Sequence, residues 1–213
     1  MPRTPASLPP QNLKTTPVLQ KTPDPQLLWP SVCDETCETK DLSHAPSPTS
    51  INLRYQKNYE DETRPTQGSC NFWSTVMNVR KLYLMDAHID GLTMRKIRDY
   101  LNEGSNAKDF PIKEIKIMCG SNDKDNVQAA FDDMKNKLME KQPQPSIELR
   151  QSLDKTKFPF LHDRFAVLDN ELWHFGATVG GLHQSLNAYS RGWSASEYRF
   201  IDMFNKAWER SSD

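Results

Sequence analysis

An α/β sandwich, with a mixed and largely parallel sheet flanked by helices, is the architecture the sequence predicts. Two observations carry it. From Ser69 onward, short apolar runs with strand character alternate with stretches of helical period, and such alternation brings successive strands side by side in a parallel sheet. Near the C-terminus the alternation gives way to two apolar runs separated only by a turn, so the sheet finishes in a hairpin. The 213 residues hold no internal repeat, and each chemical element therefore occurs once.

The elements follow in order. Phe72 to Asn78 reads as a short helix, and Lys81-Leu-Tyr-Leu-Met-Asp-Ala-His88 as a buried strand. Leu92 to Leu101 sets Leu92, Ile97 and Leu101 near one helical face before the breaker Gly104-Ser-Asn. Ile112 to Cys119 alternates Ile115, Ile117 and Cys119 as a strand does. Asn126 to Lys141 is an amphipathic helix carrying Val127, Ala130, Phe131, Met134 and Leu138, ended by Pro143 and Pro145. Ser146 to Gln151 is a further strand, and Ser196 to Trp208 a last helix with Phe200, Ile201, Phe204 and Trp208 inward.

Ahead of these elements, residues 1 to 65 hold eleven of the fifteen prolines. Such composition cannot bury enough surface to offset chain entropy, so a disordered Pro-rich arm (1–65) precedes one folded domain (66–213). Leu27-Leu28-Trp29-Pro30 is a candidate docking segment within the arm. Lys and Arg number 27 against 28 acidic residues, and the net charge of −1 gives no global case for a nucleic-acid partner. Any anion-binding surface must be local. Cys33 and Cys37 form a lone C-x3-C pair, short of a tetrahedral zinc set, so no metal or cofactor is expected and the thiols read as reduced. No run approaches the ~20 apolar residues of a membrane span, and the N-terminus lacks the apolar core of a signal peptide. The expectation is a soluble, cytoplasmic protein.

The chemistry concentrates in LHDRFAVLDNELWHFGAT, Leu161 to Thr178. A strand points successive side chains to opposite faces, so His162 and Arg164 share a face while Phe165 and Val167 point the other way, into the core. Asp169 and Asn170 sit where the chain must turn, which makes Asp169 a hairpin-end residue or a brace. The second arm ends in Gly176-Ala-Thr178-Val-Gly-Gly181, small residues that let a substrate approach the backbone. Two registers stay open. A three-residue turn sets Thr178 opposite His162, whereas a two-residue turn sets Ala177 and Val179 there and leaves a polar contact missing. His174 faces the site or the core according to the same register. Beyond it, the polar, glycine-rich stretch Gly180 to Trp193 reads as a loop able to lid a site, with His183 and Arg191 on it. Asp86 and His88 end the first strand, where ligands of open α/β sheets tend to bind.

His162-x-Arg164-x4-Asp169-x6-Gly176 resembles the H-x-K-x4-D-x6-G-S motif of the phospholipase D superfamily, and strand, helix, strand, helix before it is that family's order of elements. The resemblance covers roughly residues 70 to 210. It departs from the family pattern at Arg164, in place of lysine, at Ala177, in place of a hydroxyl residue, and at Val179, where asparagine is frequent. Members cleave or transfer phosphodiesters of lipids or nucleic acids without a metal. The resemblance implies His162 as nucleophile, Arg164 as the cation on the non-bridging oxygens, and Asp169 as a brace. Gly176, Thr178, Arg191 and His88 would line the substrate. The implied activity is that of a phosphodiesterase, foremost a nuclease acting through a phosphohistidine. A catalytically inactive interaction module of the same fold and a lipid phosphotransferase are the alternatives. Nucleic acid is the expected partner. Because a second histidine must protonate the leaving group and the chain has one motif, a homodimer sharing its site is also expected.

Overall fold

The computed structural model describes residues 26–28, 67–104, 109–154, 156–159, 161–183 and 188–211. Its elements run β1 (Gln26–Leu28), α1 (Gln67–Val76), β2 (Lys81–Asp86), α2 (Gly91–Glu103), β3 (Glu114–Cys119), α3 (Lys124–Leu138), β4 (Ser146–Gln151), β5 (Arg164–Leu168), β6 (Glu171–Phe175), a 3-10 turn (Val179–Gly181), β7 (Tyr189–Ser194) and α4 (Phe200–Arg210). The strands form one mixed sheet in the order β1-β7-β6-β5-β2-β3-β4. The expected α/β architecture is present, with a smaller parallel share than the alternation implied. Only β2/β3 and β3/β4 pair in parallel, and the remaining pairings are antiparallel.

Helices cover both faces, which is why the interior of β2, Leu82 to Met85, reads as a continuous apolar run. One core lies under α1, α2 and α3, where Phe72, Met94, Ile97, Leu101, Val127, Phe131 and Met134 meet Leu82, Leu84, Ile115, Ile117, Trp173 and Phe175 of the sheet. The other lies under α4, whose Phe204, Ala207 and Trp208 meet Tyr83, Met85, Met118 and Val167. The alternation along each strand divides its side chains between these two layers. Leu92 is the exception among the expected core residues. It is 52% exposed, because α2 starts at Gly91 under the cap of Asp90, whose carboxylate accepts the Thr93 N–H at 2.7 Å.

Three further differences from the sequence reading bear on the site. The stretch read as a lid contains β7, which pairs with β6 across a register shift between Leu172 and His174. On the outer side of β7 lies β1, paired from Gln26↔Arg191 to Leu28↔Tyr189, so the segment singled out for docking contributes strand to this sheet. The rest of residues 1–65, with Cys33 and Cys37, lies outside the described residues. Finally, α4 begins at Phe200. Residues 195–199 form turns that end on Arg199 at φ 58°.

Candidate functional site

The hairpin turn settles the register. Leu168 pairs with Glu171, so the turn holds two residues, Asp169 and Asn170, and Arg164 pairs with Phe175. Asp169 has φ 55°, a left-handed conformation that a short polar side chain tolerates better than most. Its carboxylate accepts the main-chain N–H groups of Arg80 and Lys81, each at 2.9 Å, and so ties the turn to the start of β2.

β5 starts at Arg164, and His162 lies before it in irregular chain. The parity argument that set the two side by side applies only inside a strand. The His162 side chain is 90% exposed, and its Nδ1 lies 3.2 Å from Oδ1 of the adjacent Asp163. The other Asp163 oxygen is 3.2 Å from Nε2 of His174, a charge contact without hydrogen-bond alignment, and His174 Nδ1 lies 3.3 Å from Ser190 Oγ. The His162 hydrogen bond, with the His174 charge behind it, holds the Asp163 carboxyl below the usual carboxylate range. The His174 ring contacts Phe165, which contacts Phe200, so this chain of polar contacts runs along the α4 side of the sheet.

Arg164 belongs to the opposite layer. Its Nε sits 3.8 Å from Oδ1 of Asp86, is buried, and makes no hydrogen bond among the described residues. Asp86, at the C-terminal end of β2, is 0% exposed. It accepts the His88 N–H at 2.8 Å and the Val179 N–H at 2.9 Å. Burial pushes the Asp86 carboxyl up, against the pull of the two N–H groups and the Arg164 guanidinium. The contact that the sequence reading found missing at Val179 is thus made by the main chain, which needs no polar side chain. Gly180, next along, takes φ 72°, and a Cβ there would lie 2.6 Å from the Trp73 ring, so this turn requires glycine. Cys119 ends β3 beside Asp86, and burial pushes its thiol up to about 12, which makes it inert.

The remaining expected site residues are dispersed. Arg191 grips Glu171 through Nε at 2.7 Å and Nη2 at 3.0 Å and lies over the Trp173 ring at 4.4 Å, so its fork is occupied. Thr178 is buried, and Gly176 is exposed at the end of β6, where its N–H donates to Ala188. The His88 side chain is exposed at the rim above Asp86, and His183 is exposed beyond the 3-10 turn. Among the described residues, no three His, Cys, Asp or Glu side chains converge as a metal site, and no helix is long and apolar enough to cross a membrane.

The sequence reading placed Asp86 at the site rim but missed its pairing with Arg164, and it also missed the basic face of α4. Arg199, Lys206 and Arg210 line a groove of about 370 Å³ there. The signal was present in their spacing of seven and four residues, which falls on one helical face.

No family model matches the chain, and no curated protein matches it. Among solved structures the chain is similar to TrmBL2, an archaeal chromatin protein whose structure shows a novel mode of DNA binding. The TM-score is 0.43 and the identity 16%, over 67% of this chain and 48% of that one. The expected phosphodiesterase or nuclease acting through a phosphohistidine is corrected by the geometry, and the lipid phosphotransferase with it. In this chain the imidazole and the guanidinium that such chemistry would bring together lie on different layers, one solvated beside a carboxylate and the other facing a buried one.

Proposed function

We propose that the domain is a non-catalytic binding module of phospholipase D-like architecture, with nucleic acid as its partner. The observation that carries this reading is the pairing of Arg164 with Asp86. A cation able to stabilise a developing phosphoryl charge must keep its field directed at the ligand. Arg164 instead faces a carboxylate with no solvent exposure, and an incoming phosphate would meet that carboxylate behind it. The motif then serves as a strut that joins β2, β5 and the turn at Val179. The order of strands and helices and the place of Asp169 at the hairpin turn support the phospholipase D-like architecture. A second histidine supplied by another subunit has no role in this reading, so the counting argument for a homodimer falls away.

The test is hydrolysis by the purified full chain of labelled single-stranded DNA, double-stranded DNA, RNA and a chromogenic phosphodiester, with and without chelator. The expected result is no cleavage above the buffer control. Cleavage that disappears in His162→Ala would overturn the reading.

A further inference from the structure

A nucleic-acid partner for a chain of near-zero net charge requires a local cationic surface. Resting on the binding-module reading, we infer that the outer face of α4 is a contact site for single-stranded nucleic acid. Phosphates would lie on Arg199, Lys206 and Arg210, and a base would lie against the apolar wall between them.

Four observations converge on this face. First, α4 buries Phe200, Phe204, Ala207 and Trp208 and turns Arg199, Lys206 and Arg210 outward, all three exposed. From Arg199 to Arg210 the stripe runs roughly 16 Å at ~1.5 Å per residue. Second, both Lys206 and Arg210 are exposed and neither makes an ion pair among the described residues. Third, the cations rim a groove of about 370 Å³ whose wall is Phe158, Met203 and Ala207. Concave apolar surface beside cations suits a base and its phosphates, while a duplex keeps its bases inside and offers such a groove nothing. Fourth, Arg199 holds φ 58°, a conformation in which glycine sits more easily than a long side chain. A strained arginine at the mouth of a groove points to a use for its guanidinium.

Asp202 also lines the groove, and its carboxylate selects among anionic partners. It binds Arg199 through Nε at 3.2 Å. A base carries amino and imino N–H groups able to donate to that carboxylate, whereas the side chains of an acidic peptide only accept. The charge balance of three cations against one carboxylate therefore favours a nucleic acid over an acidic peptide.

The experiment is fluorescence anisotropy of a labelled oligothymidylate of about 15 nucleotides with the full chain, over a salt series starting near 50 mM. A duplex of equal length and polyglutamate serve as competitors. Lys206→Ala with Arg210→Ala is expected to weaken binding about tenfold and to lower the slope of log K against log salt by about 1.4, because two phosphate contacts are lost from a single strand. Arg199→Gly is expected to weaken binding several-fold while the melting temperature stays the same or rises, since glycine relieves the backbone. Absence of binding, unchanged affinity in these variants, equal affinity for duplex, or equal competition by polyglutamate would each overturn the assignment. The same samples run on a denaturing gel separate the two readings: shortened oligonucleotide would overturn the non-catalytic proposal, while the anisotropy of the variants still decides the surface.

Discussion

The structural role of Arg164 as the partner of Asp86 can be tested by stability alone. In Arg164→Met the apolar stem is preserved and the charge removed, which leaves Asp86 buried at 0% exposure without its cation. Removing one partner of a buried pair costs about 3–5 kcal/mol, and a smaller cost is expected here, about 2–4 kcal/mol, because Arg164 is 16% exposed and makes no direct hydrogen bond to the carboxylate. Asp86→Asn should cost about 3–5 kcal/mol, since its amide turns a donor toward the Val179 or the His88 N–H and strands the Arg164 charge. The double variant should cost clearly less than the sum, with a coupling of about 1–3 kcal/mol. Urea unfolding of all four proteins measures this directly, and each kcal/mol corresponds to about 2–4 °C in melting temperature for a domain of this size. The pH dependence has a fixed sign. A carboxyl whose folded pKa lies above its unfolded value contributes stability below the ordinary value near 4, and that contribution is lost as pH rises through the folded pKa. Loss of the cation raises the Asp86 pKa further, so the defect of Arg164→Met should shrink as pH falls from about 7.5 toward about 5. Additive single effects, or a defect that does not change over that pH interval, would refute the pairing as the role of Arg164.

Three other outcomes are expected. Asp169→Ala should cost about 1–3 kcal/mol by urea unfolding, because two main-chain N–H groups lose their acceptor and alanine disfavours φ 55°, whereas Asp169→Asn should cost less than about 1 kcal/mol. His162→Ala should move the melting temperature by no more than about 2 °C, since an exposed histidine beside an exposed carboxylate contributes little. Arg191→Lys should cost about 1 kcal/mol and alter tryptophan emission, because lysine cannot reproduce the two bonds to Glu171 or the stacked fork over Trp173.

Legibility followed the physics of each element. The strands Lys81–Asp86, Glu114–Cys119 and Ser146–Gln151 and the helices α2 and α3 show their periods because a face or a whole strand is buried. β7 did not show itself. Its sequence, Tyr-Ser-Arg-Gly-Trp-Ser, mixes glycine and polar residues, and its stability derives from pairing with β6 and from the Arg191–Glu171 bond, neither of which is local. Without β7 the hairpin looked terminal, and the sheet looked more parallel than it is. The short β1 is invisible for the same reason, since three residues carry no period.

The site was misread at one identifiable step. Spacing of two places His162 and Arg164 on one face only if both residues are in the strand, and β5 begins at the second of them. What decides where a strand begins is its partner, and β6 ends opposite Arg164, at Phe175. His162 is released from the pleat, while Asp163 reaches His174 on the α4 side. Asp86 lies 78 residues before Arg164, and no motif of local spacing encodes its approach. Arg164 is adjacent to it because β5 joins the sheet antiparallel to β2, so the start of one strand meets the end of the other. The same eight residues of motif, His162 to Asp169, can therefore serve a reacting phosphate or an internal ion pair, according to whether a buried carboxylate waits across the sheet. Here one does, and the motif cation is turned inward toward Asp86.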